Sequence, residues 1–237
     1  MLIAIPSKGR AGQTKSDKIL PSAVMYVPET EAHQYEQFNT SVVSVPADVR
    51  GITATRNWIL KNTDERWVVF VDDDVLAQGW VKMGEWSCRH TKMTEHEWEN
   101  TCAMLFDVIE CMGWKVWGVA TQGAPRAVYP YKPFLFRSYV TASFMGMVND
   151  GTMYFDERFR VKEDYEICLR HIKKYGGVLC ARHVYWANSH WGDDGGCKDY
   201  RTQGVEAEAI KMLVKMYPGM IRQITRGGSE YSIELNA

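Results

Sequence analysis

Short apolar runs of the β-strand type alternate with segments of helical periodicity in the first third of the chain. Helical segments at 31–38 and 51–62 lie among these runs, which read LIAIP, SAVMYVP, SVVSVP and WVVFV and begin at residues 2, 22, 41 and 67. Strands that alternate with helices form parallel sheets with helices packed against them. WVVFV is apolar at every position, which is typical of a central strand covered on both faces. We therefore predict an α/β fold with a mostly parallel central sheet.

The same alternation continues along the rest of the chain. A helix is predicted to begin after Thr94, because Glu97 completes a capping box, and to end near Gly113. Further helices are predicted over 160–177 and 204–219, strands over 114–121, 139–148 and 178–186, a proline-rich loop over 124–133 and a tail from 226. No repeat or linker interrupts the pattern, so a single domain spanning 1–237 is predicted.

Charge and targeting signals narrow the class of protein. The 28 basic and 29 acidic residues leave a net charge of −1, which argues against tight, non-specific coating of nucleic acid. The N-terminal apolar run is broken at Pro6 and does not have the form of a secretory signal, and no run is long enough to span a membrane. Six cysteines without a CxxC pair are expected to remain reduced. We expect a cytoplasmic protein with no membrane partner and no evident protein partner.

Three consecutive aspartates, Asp72, Asp73 and Asp74, directly follow the WVVFV run. Adjacent carboxylates repel one another unless a cation or hydrogen-bond donors compensate them. In an extended segment Asp72 and Asp74 point to the same side, and two carboxylates suit Mg²⁺ or Mn²⁺, which also bind substrate phosphates. Ligands of open α/β sheets bind at the carboxyl ends of the strands, where this triplet lies. We predict a metal site here, and a solvated acidic turn is the alternative.

Polar residues at two other places suit a phosphate-bearing ligand. Ser7, Lys8 and Arg10 follow the first strand, where backbone donors and two cations can hold a diphosphate. Arg56 and Asn57 lie on the helix over 51–62. An ordinary basic turn and a solvated helix face are the respective alternatives. The chain has neither a GxGxxG nor a P-loop motif, so the sequence does not indicate a dinucleotide-binding site or a P-loop nucleotide-binding site.

Carboxylates and a histidine in the second half are further candidates. Glu163 and Asp164 open the helix over 160–177, where the helix dipole stabilises them, and general-base catalysis is the functional alternative. His190 in ANSHWGDDGG is either a metal ligand or a structural histidine. A zinc site is another hypothesis; its ligands would be Cys180, His183, His190 and Cys197. Their spacing matches no common zinc finger.

The order of these features resembles that of the GT-A glycosyltransferases: a strand ending in a basic turn, an Arg-Asn helix, an apolar strand running into DxD, and a Glu-Asp pair opening a later helix. More closely, IPSKGRAG, VPADVRGITATRNWIL and WVVFVDDDV resemble the TET-associated glycosyltransferases of bacteriophages, a family linked to sugar transfer onto 5-hydroxymethylcytosine in DNA. The resemblance implies a Rossmann-like GT-A domain with helices on both faces of the sheet. Its nucleotide-binding half would be 1–75, and its acceptor-binding half with the C-terminal segment would be 76–237.

The resemblance also implies a role for each candidate residue. The nucleotide-sugar donor is expected to contact Pro6, Ser7, Lys8, Arg10, Arg56, Asn57, Asp72 and Asp73. A Mn²⁺ or Mg²⁺ ion is expected to bind Asp72, Asp74 and His190. The general base is expected to be Asp164, with Glu163 beside it and Asp156 and Glu166 as alternates. The acceptor is expected to contact Trp80 and Trp191.

We therefore predict a metal-dependent glycosyltransferase that moves a sugar from a UDP-sugar to 5-hydroxymethylcytosine in phage DNA, acting in the host cytoplasm if the protein is phage-encoded. Cations between residues 8 and 18, at 173–174 and in the C-terminal segment with Arg222 and Arg226 offer local contacts for DNA phosphates despite the balanced charge. The alternatives are a GT-A enzyme with a glycan or protein acceptor, a nucleotidyltransferase, and a nucleotide- or DNA-binding module without turnover.

Overall fold

The first part of the chain folds with the predicted alternation of strands and helices. The computed structural model describes residues 1–83, 88–121, 132–188, 201–226 and 229–236. Its first elements are β1 (Leu2–Pro6), α1 (Ser16–Ile19), β2 (Val24–Pro28), α2 (Ala32–Tyr35), β3 (Val42–Val45), α3 (Ile52–Lys61) and β4 (Trp67–Val71). All four predicted strands and both predicted helices of this part are therefore confirmed.

The remaining elements include strands that the apolar pattern did not indicate. They are β5 (Val75–Met83), β6 (Cys88–Lys92), α4 (Glu95–Cys111), β7 (Val116–Thr121), β8 (Phe134–Leu135), β9 (Phe144–Val148), α5 (Glu163–Tyr175), β10 (Leu179–Asn188), α6 (Gln203–Met216), β11 (Ile221–Arg226) and β12 (Ser229–Leu235). Within the described residues, no helix is both long enough and apolar enough to cross a membrane.

In the described part of the chain, ten strands form one sheet in the order β3-β2-β1-β4-β9-β7-β10-β5-β6, with β8 paired to β10. The strands β1 to β4 pair in parallel, and β9 lies antiparallel between β4 and β7. Only β9, β5 and β8 run against the common direction of the other described strands of this sheet. The prediction of an α/β fold with a mostly parallel sheet is confirmed.

The central strand β4 is buried on both faces, as its uninterrupted apolar run predicted. Val69 packs on one side of the sheet in the cluster that contains Trp98 of α4. Val68 packs on the other side with Ile59 of α3 and Ile167 of α5. Helices therefore cover both faces, and α3 and α5 share the face on which the predicted Arg-Asn and Glu-Asp pairs lie.

A third apolar cluster joins the C-terminal segment to α5. The hairpin of β11 and β12 forms a separate antiparallel sheet. Residues of this hairpin and of α6 pack against Leu169 of α5 and against Phe159 and Val161, which precede that helix. The described residues of the C-terminal segment, 201–226 and 229–236, thus lie against the outer side of the helix that carries Glu163 and Asp164.

The predicted helix boundaries agree with the cap geometry. The hydroxyl of Thr94 accepts a hydrogen bond from the Glu97 backbone N–H over 3.2 Å, and the Glu97 carboxylate accepts one from the Thr94 N–H over 2.8 Å. This reciprocal capping box starts α4 where it was predicted. Gly176 ends α5 with φ of 93°, a left-handed conformation that glycine adopts without steric cost.

Two predicted boundaries were wrong. Residues 139–143 were predicted as part of a strand, but β9 begins only at Phe144. The Thr141 hydroxyl accepts a hydrogen bond from the Ser143 N–H over 3.3 Å, a local bond that competes with strand pairing. The C-terminal tail was predicted to lack regular structure, but Ser229–Leu235 pairs with β11 and buries Ile233.

Candidate active site at the carboxyl ends of β1 and β4

The carboxyl ends of β1 and β4 lie side by side, because the two strands are parallel neighbours. β1 leads into the turn with Ser7, and β4 leads into the three aspartates. Asp73 is buried while Asp72 and Asp74 are half-buried, which matches the predicted alternation. Asp73 and Asp74 nevertheless form a turn into β5 instead of prolonging β4. Two polar turns therefore meet at this edge of the sheet, as sequence order predicted.

Asp73 joins the two turns. Its carboxylate accepts a hydrogen bond from the Ser7 hydroxyl and forms an ion pair with Arg10. The hydroxyl of Tyr35 accepts the backbone N–H of Arg10 over 2.9 Å and lies 2.9 Å from the Ser7 hydroxyl. Burial raises the pKa of Asp73 to about 6, although Ser7 and Arg10 favour its charged form. Arg10 thus compensates the middle carboxylate of the triplet.

Arg56 joins the aspartate turn to the start of α5. Its side chain is buried; Nη2 donates to Oδ1 of Asp72 over 3.0 Å, and Nη1 donates to Oε1 of Glu163 over 2.7 Å. The rings of Phe70 and Phe155 lie 5.9 and 5.6 Å from the guanidinium carbon. A planar fork with several donors can bridge two carboxylates in this way. The arginine predicted to contact the donor therefore holds two acidic motifs together.

Two serines that sequence reasoning missed hold the aspartate turn in place. Ser143 accepts the Asp72 N–H at its carbonyl oxygen over 3.0 Å and donates its hydroxyl to Oδ2 of Asp72. The Ser16 hydroxyl donates to the carbonyl oxygen of Asp72 and accepts the Val75 N–H over 2.9 Å. Neither serine belongs to a recognisable motif; Ser143 reaches Asp72 because β9 pairs with β4 and places Phe144 opposite Val71.

Glu163 and Asp164 form the first turn of α5 with different partners. Glu163 is bound by Arg56, whereas Asp164 accepts hydrogen bonds from the hydroxyl of Tyr139 and from the backbone N–H of Tyr165. Burial raises the pKa of both carboxyls, and the neighbouring Asp164 raises that of Glu163 further. A raised pKa suits a carboxylate that must take up a proton near neutral pH. Arg56 is bound to Glu163, and the assignment of Asp164 as the general base stays a prediction.

Three other residues were predicted to contact the nucleotide-sugar donor, namely Asn57, Pro6 and Lys8. The Asn57 amide donates to the carbonyl oxygen of Phe155 and to Glu157, each over 2.9 Å, and accepts the Phe155 N–H over 2.8 Å. These bonds anchor the segment that leads into α5, a structural role that the sequence did not indicate. Pro6 is buried at the end of β1, and Lys8 is exposed in the turn that follows. Their contacts with a donor remain predictions.

The alternates to Asp164 as base are engaged elsewhere. Asp156 is paired with Arg158 beside it in sequence. Glu166 accepts the Tyr217 hydroxyl over 2.8 Å and pairs with Arg170, on the side of α5 that faces the C-terminal segment. The choice of Asp164 over Asp156 and Glu166 as the general base stays a prediction.

The carboxylates of the aspartate turn suit a hard divalent ion whose remaining ligands would come from a substrate. Asp72 and Asp74 are half-buried carboxylates on one turn, and each oxygen of Asp72 can accept more than the single bond it receives from Arg56 or Ser143. Among the described residues, no group of three or more His, Cys, Asp or Glu side chains could hold a metal ion. Magnesium and manganese in phosphate-transfer sites typically use one or two carboxylates with substrate phosphates and water.

The predicted acceptor residue Trp80 lies well away from the aspartate turn. β5 carries it six residues beyond Asp74, about 20 Å along an extended strand. Its ring stacks on His183 at 5.8 Å, and Phe134 contacts the same histidine edge-on at 4.9 Å. The contact of Trp80 with an acceptor stays a prediction.

Several predicted residues lie outside the described part of the chain. They are His190, Trp191 and Cys197, together with most of the proline-rich loop. Of the hypothetical zinc ligands, Cys180 and His183 are described. Cys180 is buried, which raises the pKa of its thiol to about 12, and the His183 ring lies against Trp80 and Phe134. The roles of His190 and Trp191 remain predictions.

The fold is similar to those of three solved proteins. It matches Staphylococcus aureus TarS 1–349 in complex with UDP-GlcNAc with a TM-score of 0.52 and 12% identity over 90% of this chain and 67% of that one. It matches the mannosyltransferase PcManGT from Pyrobaculum calidifontis, in complex with GDP-Man and Mn²⁺, with a TM-score of 0.55 and 12% identity. The match covers 91% of this chain and 61% of that one. It matches glucosyl-3-phosphoglycerate synthase from Mycobacterium tuberculosis, in complex with Mg²⁺ and UDP, with a TM-score of 0.51 and 12% identity. The match covers 98% of this chain and 85% of that one.

These likenesses define the fold as that of a GT-A glycosyltransferase. The profile of the TET-Associated Glycosyltransferase family matches residues 1–196, so the chain belongs to this family. It spans 60–67% of the TarS fragment and 61% of the mannosyltransferase. No curated protein matches the chain in sequence.

Proposed function

We propose that this protein is a metal-dependent glycosyltransferase that moves a sugar from a UDP-sugar to the hydroxyl of 5-hydroxymethylcytosine in DNA. The family to which the chain belongs supports the acceptor, and the nucleotide-sugar and UDP complexes of the similar structures support the donor. The nucleotide-binding half would be 1–75 and the acceptor-binding half 76–237. In a phage-infected cell the protein would act in the host cytoplasm, where the DNA is.

One observation carries this proposal. The buried guanidinium of Arg56 binds Asp72 of the aspartate turn and Glu163 beside Asp164. The carboxylates expected to face the donor diphosphate and the one expected to activate the acceptor are thus built into a single site at the carboxyl edge of the sheet. Open α/β sheets bind their ligands at this edge.

The proposed reaction is a single transfer of the sugar from UDP to the acceptor hydroxyl. The acceptor hydroxyl oxygen forms a bond to the anomeric carbon, the bond from that carbon to the diphosphate breaks, and UDP leaves. Asp164 accepts the proton of the hydroxyl. Asp72 and Asp74 would hold Mn²⁺ or Mg²⁺, which when bound stabilises the charge of the departing diphosphate. Ser7 and Arg10 would position the nucleoside beside the turn.

The test is sugar transfer in vitro. Purified protein is incubated with UDP-glucose or UDP-N-acetylglucosamine and Mn²⁺, using duplex DNA that contains either 5-hydroxymethylcytosine or cytosine. Mass spectrometry of the digested nucleosides should show a hexosylated product only from hydroxymethylated DNA, and none after EDTA. Transfer to a glycan or protein but not to this DNA would refute the acceptor. No transfer and no donor hydrolysis would refute the enzyme.

Two variants in which an aspartate is replaced by asparagine test whether Asp164 is the base. Asp164→Asn removes the base without changing side-chain size, so turnover should fall about 10²- to 10⁴-fold while UDP binding persists. Asp107→Asn makes the same change at an exposed position on α4 and should leave turnover unchanged. Equal activity of the two variants would exclude Asp164 as the base.

A further inference from the structure

The residue that precedes the Glu163–Asp164 pair has a strained backbone. Lys162 is the N-cap of α5 and has φ of 61° and ψ of 22°, the left-handed conformation. It is the only residue other than glycine with a positive φ in the described part of the chain. A lysine in this conformation brings its Cβ too close to the backbone, so surrounding contacts must hold it there. These two angles set the direction in which the first turn of α5 leaves the preceding loop.

A glutamate of the C-terminal segment holds Lys162. The ammonium of Lys162 lies 2.7 Å from Oε2 of Glu206 in the first turn of α6, and the two side chains are only 10% and 11% exposed. Arg201 binds the other oxygen of Glu206 over 2.7 Å. Burial alone would raise the pKa of Glu206, but Lys162 and Arg201 hold it below its usual range. The Glu206 carboxylate of this ion pair is therefore charged at neutral pH.

The same ammonium supports the hydrogen-bond partner of Asp164. It lies 5.6 Å from the centre of the Tyr165 ring, and that ring stacks on Tyr139 at 3.9 Å with an angle of 14°. The Tyr139 hydroxyl donates to Asp164. Glu206 is thus connected to Asp164 along two routes, through the backbone of Lys162 and through the two stacked rings.

Additional contacts fix α6 against α5. Leu213 and Tyr217 of the C-terminal segment pack in the apolar cluster with Leu169 of α5, and the Tyr217 hydroxyl donates to Glu166 over 2.8 Å. These residues of the C-terminal segment lie beyond residue 196, where the match to the family ends. The part of the chain that follows the family match therefore contacts the helix with the proposed base.

We propose that Glu206 is a positioning residue that, by holding Lys162 in its left-handed conformation, aims Asp164 at the acceptor hydroxyl. This inference rests on the proposed function. It assigns to α6 the task of setting the geometry of the first turn of α5, with no contact between Glu206 and the substrates. Small misplacements of a catalytic group cost turnover without weakening donor binding.

The test compares variants that break the ion pair from either side. Glu206→Gln keeps the size of the side chain and removes its charge. Lys162→Met removes the ammonium, keeps the length of the side chain and has no preference of its own for the left-handed conformation. Each variant should lower kcat about tenfold or more with an unchanged donor KM. The double variant should have a kcat no lower than that of the less active single variant, because both changes break the same ion pair. Lys162→Arg, which retains the charge, should restore most of the activity.

A control and a second readout separate this inference from the proposed function. Glu208→Gln makes the same change at an exposed position of α6 and should leave kcat unchanged. Hydrogen exchange of the Glu166 amide, which donates to the Lys162 carbonyl oxygen over 3.2 Å, should accelerate in Glu206→Gln but not in Glu208→Gln. Unchanged kcat and exchange in Glu206→Gln, or singles whose losses multiply in the double variant, would overturn the inference. If the native protein transfers no sugar while the exchange result holds, only the proposed function fails.

Discussion

Arg56 donates from Nη2 to Oδ1 of Asp72 over 3.0 Å, and this contact ties the helix α3 to the aspartate turn after β4. Its other terminal nitrogen reaches Glu163. The guanidinium is desolvated, and its charge is balanced by two carboxylates that would otherwise repel one another across the site. The site is thus assembled around a buried cation of α3 whose two carboxylate partners come from two other segments, the aspartate turn and the start of α5.

Replacing Arg56 by Met should destabilise the protein strongly. Met has a similar length but leaves the Glu163 and Asp72 carboxylates without their buried partner, which costs about 3–5 kcal/mol. Urea denaturation measures the loss. Arg66→Met breaks the exposed pair with Glu110 and should change the free energy of unfolding by less than about 1 kcal/mol. Similar losses for the two variants would contradict the role assigned to Arg56.

Tyr139→Phe should move the acidic limb of the pH–activity profile to higher pH. Charged and titratable groups around Asp164 are Tyr139, Arg56, Lys162 and Glu163; the Tyr139 hydroxyl lowers the pKa of Asp164 by donating to its carboxylate. Without this donor the pKa rises, and the carboxylate becomes available as a base only at higher pH. The measurement is kcat from about pH 5 to 8.

The matched control for that profile is Tyr175→Phe. This variant removes a hydroxyl that contacts Thr152 and does not touch Asp164. Its acidic limb should coincide with that of the native protein. An unmoved limb in Tyr139→Phe, or a shift to lower pH, would rule out the hydrogen bond as a determinant of the basicity of Asp164.

His171 should make the fold less stable as the pH falls. Its ring is fully buried; Nε2 accepts the Lys115 N–H over 2.8 Å and Nδ1 donates to the carbonyl oxygen of Gly177. Burial lowers the pKa of His171 from 6.5 to about 4. Between these values the unfolded chain takes up a proton that the folded chain does not, so the free energy of unfolding decreases with falling pH. The group contributes on the order of 3 kcal/mol, which is lost across this window.

His171→Gln tests this contribution, because glutamine does not titrate there. The difference in stability between native protein and variant should shrink as the pH is lowered from about 7 to 4, measured by denaturant unfolding at each pH. His33→Gln makes the same change at an exposed histidine and is the matched control. A pH-independent difference for His171→Gln would show that the imidazole is not kept neutral by the fold.

Tyr217→Phe should weaken the attachment of the C-terminal segment to α5. The variant removes the donor to Glu166, whose side chain is buried, and leaves that carboxylate with fewer partners. The expected cost is about 1–3 kcal/mol, measured by urea denaturation. Tyr175→Phe removes an exposed hydroxyl contact and should cost far less. A loss in Tyr217→Phe no larger than in this control would argue that the contact with Glu166 contributes nothing.

Local signals predicted several elements well. The capping box at Thr94, the glycine stop at Gly176 and the apolar run of β4 all involve residues within a few positions of one another. The same kind of signal placed the aspartates after a central strand. Strands β5 and β6 were missed because their polar and aromatic residues do not alternate cleanly with apolar ones.

The strand predicted to begin at Tyr139 shows where local reasoning fails. Its residues suit an extended strand by propensity, but the turn before β9 brings Tyr139 to Asp164 and Ser143 to Asp72. Both contacts depend on the pairing of β9 with β4, which is antiparallel inside an otherwise parallel region. No pattern within the segment encodes that register.

The amino-acid sequence by itself determined the alternation of strands and helices, the position of the aspartates at the end of β4 and the Glu-Asp pair at the start of α5. Periodicity, capping and turn preferences act over a few residues and can therefore be read along the chain. Only the tertiary structure decided that Arg56 binds Asp72 and Glu163, which lie 16 and 107 residues away, and that Glu206 holds Lys162. Such partners are selected by which buried charges the packed elements bring together, because an unpaired charge in the core is too costly to keep.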